Sequence, residues 1–386
     1  MLERQTRDVR LDLFRGLALL IIFVNHVGLN PLAKVTPARF GPSDAAEIFI
    51  FISGYAVALA YAPLFAERGF LPSQMKALVR CRQLWVANFL TMLTCGLIVG
   101  ISVFGGLVSV TDSHRLASFL PLFEQPATAL AWHAVLLYLP YAFDILALYI
   151  VLIVAAPAYL WLLARFGVAA FLGPVALYAG VQVAPDLSPP NLWGERWNFS
   201  PLAWQVVFFL GMTMAFALRG GHRLPRSGAL LAAALAILLG MMLWKGAAAE
   251  GIRAMLPGGM QAVLPEQGIP LAEKHTLGPM RLLHFLALAC AAALLVPRDA
   301  KWLRWGPMQL LTNCGRHSLP VFCLGLILSF CGTIVLLKAQ GIAAVLAVNL
   351  GGMGALILLG LTLERQRTLR RTRRSPVEGR RVSEAL

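Results

Sequence analysis

Charged residues are the scarcest class in this 386-residue chain, at 13%, where a soluble domain carries about 25%. Acidic groups are scarcer still, with 18 Asp and Glu against 33 Lys and Arg. So little charge cannot coat a water-soluble surface of this size. That excludes a soluble enzyme, a secreted scaffold and a disordered regulator. Cysteine is also sparse. The six cysteines (Cys81, Cys95, Cys290, Cys314, Cys323 and Cys331) include no C-x-x-C pair and lie mostly in apolar runs. A disulfide framework and a cysteine metal site are thereby excluded, and the thiols read as small buried groups. No repeat of about 20–50 residues is visible, nor any inverted symmetry between the halves.

Apolar matter is abundant: 59% of residues are hydrophobic and the mean hydropathy is +0.73. It comes in runs of about 15–20 residues, the length that crosses a bilayer as helix. The expected fold class is all-α and polytopic, one bundle of ten transmembrane helices. The spans are Leu11–Leu29, Glu47–Phe65, Leu84–Phe104, Asp144–Leu163, Val168–Val183, Leu202–Leu218, Ala229–Leu243, Leu282–Leu295, Leu319–Leu337 and Ile342–Leu363. The stretch Ala131–Tyr141 is expected to re-enter or to lie at the interface. With the N-terminus inside, 24 of the 33 Lys and Arg fall on the cytoplasmic side and 9 on the other. Loop charge sets orientation, so both termini should be cytoplasmic. Residues 1–364 form the expected membrane domain, and 365–386 a basic, disordered tail carrying eight arginines. Arginines placed just beyond an apolar run point to lipid headgroups rather than nucleic acid.

Ionisable groups inside spans are costly and mark functional pathways. Arg15 and His26 are eleven residues apart, three helical turns plus about 20°, so both project from one face roughly 16 Å apart. Asp44 and Glu47 open the next span at the level of His26. They are three residues apart and therefore neighbours on one face. A carboxylate beside an imidazole orients it and stabilises its charged form, the arrangement that general-base chemistry requires. Further down lie Ser53 and Gly54, readable as a donor contact or as small-residue packing. Arg80 and Arg82 open the third span. Arginine forks suit phosphates, although positive-inside flanks look the same. Asp144 heads the fourth span, either as a helix-capping acid or as a site residue. Trp193, Trp197 and Trp204 fit an interfacial belt, with a stacking platform for sugar rings as the second reading. No metal site is expected.

At these residues the sequence resembles the OpgC family of membrane acyltransferases, part of a wider group similar to the acyltransferase-3 proteins. The resemblance rests on Arg15 with ten residues to His26, on SDAAEIFIFISGYAVALAYA (Ser43–Ala62) and on NFSPLAWQVVFFLG (Asn198–Gly211). It continues through LGPMRLLHFLALA (Leu277–Ala289) and CGRHSLPVFCLGLILSF (Cys314–Phe330). It implies transfer of an acyl group, succinyl, from a cytoplasmic coenzyme A thioester to hydroxyls of a periplasmic glucan at the inner membrane. His26 then matches the family's essential histidine and Arg15 its basic partner, with Ser53-Gly54-Tyr55 at a Ser-Gly-aromatic motif. Asn88 stands where related sequences carry a histidine, a departure that weakens any catalytic role near Arg80 and Arg82.

The expected function is therefore membrane O-acyl transfer. His26, with Asp44 or Glu47, is the catalytic group, and Arg15, Ser53, Arg80 and Arg82 hold acyl-CoA. Trp193, Trp197 and Asp144 meet the glucan acceptor. No permanently bound cofactor is expected, acyl-CoA being a co-substrate. The rival reading is a proton-coupled secondary transporter built on the same intramembrane charges.

Overall fold

Helix α1 (Val9–His26) begins where the Asp8 carboxylate accepts the Arg10 backbone N–H at 3.1 Å, satisfying a donor that the first turn leaves free. The computed structural model describes residues 8–187, 197–222, 225–247 and 270–383. These are 83% helical, with no strand among them. The other long helices are α2 (Ala45–Arg68), α3 (Phe70–Phe104), α4 (Asp144–Phe166), α5 (Leu172–Val183) and α6 (Pro201–Arg219). After them come α7 (Gly228–Ala247), α8 (Pro279–Leu295), α9 (Gly306–Arg316), α10 (Ser318–Lys338) and α11 (Ile342–Ser383). Seven helical stretches are long and apolar enough to cross a membrane. They are α2, α3, the continuous Asp144–Val183, α6, Gly228–Lys245, α10 and Ile342–Arg370. Helix α1 is long enough but carries Arg10, Asp12 and Arg15, and α5 and α8 are short.

Within Asp144–Val183 the helix is interrupted at Gly167, whose φ of 59° favours a residue without Cβ. Both ends of this stretch lie at the level of His26. Asp144 shares a cavity with that histidine, while Gln182 donates to the Thr276 carbonyl at 2.7 Å, two residues from Lys274 of the same cavity. The chain therefore reverses near Gly167. Prolines 63 and 157 sit inside α2 and α4, where packing against neighbouring helices makes them tolerable.

Two pairs of glycines bring backbones together. A Cβ on Gly54 of α2 would fall on the Phe208 carbonyl of α6, and one on Gly211 would fall on the Phe51 carbonyl. The same reciprocity joins α1 to α9: Gly16 faces the Leu311 carbonyl and Gly315 faces the Asp12 carbonyl. Van der Waals packing replaces the hydrophobic effect between helices in lipid, and small residues make it possible. Gly54→Val is accordingly expected to destabilise the protein by about 1–3 kcal/mol, the usual cost of overpacking. A lower midpoint in thermal unfolding of the detergent-solubilised protein checks this, and an unchanged midpoint removes Gly54 from the interface.

The two ends of the bundle differ in chemistry. At the basal end, Arg10 donates to the Val296 carbonyl at 2.5 Å, and Arg298 pairs with Asp8 at 3.4 Å. Arg316 joins Asp12 at 3.6 Å to Glu364 at 3.1 Å, and His317 and Arg367 meet Glu364 at 2.9 and 3.5 Å. The start of α1 and the lower part of α11 thus lie together. At the far end, Asn30 and Asn349 exchange side-chain hydrogen bonds at 2.9 and 3.0 Å, and Gly28 N–H donates to Thr333 Oγ1 at 2.8 Å.

Three expectations change. Helix α3 starts at Phe70, not at Leu84, because Gly69 alone (φ 79°) separates it from α2. It ends at Phe104, as expected, and its last part extends roughly 22 Å past Phe89 at helical rise. The segment expected as a long outer loop, Gly105–Phe143, folds onto that extension: Phe119 and Leu122 pack at Gly96 and Phe123 at Gly100, and Phe119 meets Phe330 of α10 with ring centroids 5.3 Å apart. Ala131–Tyr141 belongs to this cap as the end of a short helix (Pro126–Ala134) and a turn, with Trp85 donating to the Ala134 carbonyl at 2.7 Å. Finally, α11 continues past Leu363, so the expected tail begins as helix.

Candidate functional site

His26 ends α1 and turns its Nδ1 onto the Ile22 carbonyl one turn back, at 2.7 Å. A carbonyl only accepts, so Nδ1 carries the proton and Nε2 of the neutral ring keeps a lone pair. The ring lines a cavity of about 290 Å³ together with Asn25, Asp44, Tyr141, Asp144 and Lys274. Its neighbour is the Tyr141 ring, 5.5 Å between centroids. The imidazole thus faces a small chamber of mixed polar and apolar lining below the cap.

The start of α2 supplies the acid side of that chamber. Asp44 caps the helix by accepting the Ala46 N–H at 2.8 Å, and Glu47 returns the bond to the Asp44 N–H at 2.8 Å. This reciprocal box satisfies two helix-end donors. Both carboxylates also meet Arg281 of α8, Glu47 at 2.6 Å and Asp44 at 3.3 Å, and Lys274 closes on Asp44 at 3.0 Å. Burial alone would push the Asp44 carboxyl up. The Lys274 ammonium and the Arg281 guanidinium outweigh it and hold the group well below the usual carboxylate range. One turn along α8, the His284 Nδ1 shares a hydrogen bond with Ser43 Oγ at 2.6 Å, and its ring fills the place a Cβ on Gly41 would take. Arg281 and His284 therefore clamp Gly41–Glu47, and through it the position of Asp44.

Lys274 is itself fixed. Its carbonyl accepts the Trp204 indole N–H at 2.8 Å, and its ammonium lies 5.0 Å from the Phe199 ring centroid. Asp144 is 3% exposed. Its Oδ2 accepts the Asn198 backbone N–H at 3.0 Å, while among the described residues the buried Oδ1 accepts no hydrogen bond.

The expected site residues divide accordingly. His26, Asp44 and Asp144 are brought to one cavity. Glu47 is fully buried in its pair with Arg281, and among the described residues neither carboxylate of α2 hydrogen-bonds His26. Arg15 donates to the Ile52 carbonyl at 2.9 Å, next to Ser53, so these two share a level lower in the bundle. Gly54 packs against α6. Arg80 bonds Gln83 at 3.1 Å on an exposed stretch of α3, and Arg82 is exposed; neither joins Arg15. Trp197 is buried, its carbonyl accepting from His275 Nδ1, and it does not line the cavity. Trp193 lies outside the described residues.

The residues that sequence reasoning missed are Arg281, Lys274, Tyr141 and Arg115. The first two fall among the nine Lys and Arg on the non-cytoplasmic side of the charge split. Arg281 did carry a signal, since it stands three residues before His284 at the head of a short apolar run. Tyr141 and Arg115 carried none, because only the folded cap brings them to His26.

The OpgC protein family matches residues 7–368. No curated protein and no solved structure matches the chain. The match begins just before the cap of α1, ends within α11 and takes in every group of the cavity. This chain belongs to the OpgC protein family.

Proposed function

We propose that the protein is a membrane O-acyltransferase that moves an acyl group, succinyl, from cytoplasmic acyl-CoA to a hydroxyl of a periplasmic glucan. The observation that carries this reading is His26, with Nδ1 tied to the Ile22 carbonyl and its ring lining a chamber shared with Asp44, Asp144 and Lys274, in a chain of the OpgC family. Nε2 takes the proton of the acceptor hydroxyl as its oxygen attacks the thioester carbonyl. The tetrahedral intermediate expels the coenzyme A thiolate, and the imidazolium returns its proton to that sulfur. Asp144 meets the acceptor at the cavity wall, and Asp44 lies in the same chamber as the base. Arg15 and Ser53 lead the donor upward from the basal end, and Arg80 and Arg82 attract its phosphates at the membrane surface. No acyl-enzyme is needed.

The two-sided reaction fits ten crossings with both termini at the cytoplasmic face of the inner membrane. The gathering of Asp8, Arg298, Arg316 and Glu364 at one end supports that arrangement, as does the positive-inside charge of the same segments.

Mass spectrometry of periplasmic glucans from cells with and without the chain tests the proposal. The acyl mass increment should vanish with the gene and return with the wild-type chain. Identical glucan profiles would remove the assignment.

A further inference from the structure

Arg115 belongs to the cap, in the short turn His114–Ala117, and is spent on nothing that neutralises it. Its guanidinium lies over the Tyr141 ring, 4.8 Å from the centroid. Its Nη2 reaches the Asn25 carbonyl at a long 3.5 Å, and its Nε is buried with no acceptor. Among the described residues it forms no ion pair. The other cations around the cavity differ. Lys274 and Arg281 are matched by Asp44 and Glu47, and Lys245 is capped by the carbonyls of Ala38 and Gly41. A guanidinium keeps its charge at any pH met in a cell, and the Arg115 side chain is half-buried with its Nε shielded from water. Among the described residues, Arg115 is held only by a ring face and one long bond to a carbonyl.

Its position is prepared rather than incidental. Ser113 Oγ accepts the Arg115 N–H at 3.3 Å, and Ser118 Oγ donates to the Arg115 carbonyl at 2.7 Å. That same Ser118 Oγ accepts the Tyr141 N–H at 3.0 Å. One hydroxyl therefore sets both the arginine and the ring beneath it. Tyr141 and Asn25, the two groups that Arg115 touches, both line the chamber of His26. A rigid guanidinium fork with an unfilled edge is the complement of a planar carboxylate, which it binds through paired charge-assisted hydrogen bonds.

We propose that Arg115 is the seat of a carboxylate carried by a substrate at the mouth of the His26 cavity, which makes it the residue that selects an anionic substrate. The inference rests on the acyltransferase reading. Two sources offer this chemistry: the far carboxylate of a dicarboxylic acyl group on coenzyme A, or a carboxylate already present on the glucan.

The test uses purified full-length wild-type, Arg115→Gln and Arg115→Lys proteins in nanodiscs. Apparent Kd is measured for succinyl-CoA and acetyl-CoA, and transfer is measured to neutral glucan and to glucan already succinylated. If the acyl group supplies the carboxylate, Arg115→Gln weakens succinyl-CoA binding by about 10–100-fold, the range of a charge-assisted hydrogen bond. Acetyl-CoA binding stays at the wild-type value, which also reports a folded protein, and Arg115→Lys falls between. If the glucan supplies it, donor binding is unchanged and KM rises only for the succinylated acceptor. Equal weakening of both donors, or no change in any of the four measurements, overturns the proposal. Selective succinyl-CoA binding through Arg115 in a protein that acylates no glucan would refute the acyltransferase reading and leave this seat standing.

Discussion

His26→Ala is expected to lower glucan acylation by about 10²–10⁴-fold, the contribution of a positioned general base, while acyl-CoA still binds. A sugar hydroxyl is a poor nucleophile until a base takes its proton, and Nε2 of His26 is the acceptor nitrogen that the Ile22 carbonyl leaves free. Separation along α1 predicts the split between the two readouts. Arg15 lies eleven residues below His26, about 16 Å at helical rise, so losing the imidazole does not disturb the level at which Arg15 meets the Ile52 carbonyl. Single-turnover transfer and equilibrium donor binding on the same preparation make the comparison. Near-normal acylation by the variant would end the general-base assignment. Equal loss of binding and transfer would make His26 a donor ligand.

Arg281→Met should have the largest effect on stability, a loss of about 3–5 kcal/mol, because breaking a buried pair strands a charge. The stranded group is Glu47, with no exposed surface, while Asp44, 16% exposed on its side chain, keeps its pair with Lys274. The capping box of α2 depends on both, so the damage should spread to the start of that helix and to Lys274. Glu47→Gln should cost less, since an amide oxygen still accepts from the guanidinium. The double variant Glu47→Leu/Arg281→Met should recover much of the loss, because apolar groups of similar volume replace a buried pair well. Thermal unfolding in detergent, followed by helix content and by size-exclusion profile, separates these cases. If Arg281→Met unfolds at the wild-type temperature, the pair is not the clamp of this site.

Much of this architecture was legible before any coordinates. Scarce charge and long apolar runs name a membrane bundle, since backbone in lipid must satisfy its hydrogen bonds within each helix. The eleven-residue step from Arg15 to His26 places both on one stripe, because periodicity within a single helix is a local property. The capping spacing of Asp44 and Glu47 is local as well, and it forms as the spacing implies. The spans Leu11–Leu29, Asp144–Leu163 and Val168–Val183 fall on α1, α4 and α5, with the break between the last two at Gly167.

What only the tertiary structure decided is which local faces meet. Asp44 and Glu47 looked free to serve His26 alone, yet an arginine 234 residues away in sequence from Glu47 claims both. Arg80 and Arg82 looked like partners of Arg15 by level, yet they leave the bundle on an exposed stretch of α3. Gly105–Phe143 looked like solvent-facing loop, yet it is the roof of the chamber and brings Tyr141 and Arg115 to the histidine. Helical periodicity determines what shares a face on one helix, whereas neighbours are chosen by close backbone packing such as Gly54 on Phe208 and Gly16 on Leu311. That choice depends on the shape of the whole bundle, so no single span encodes it.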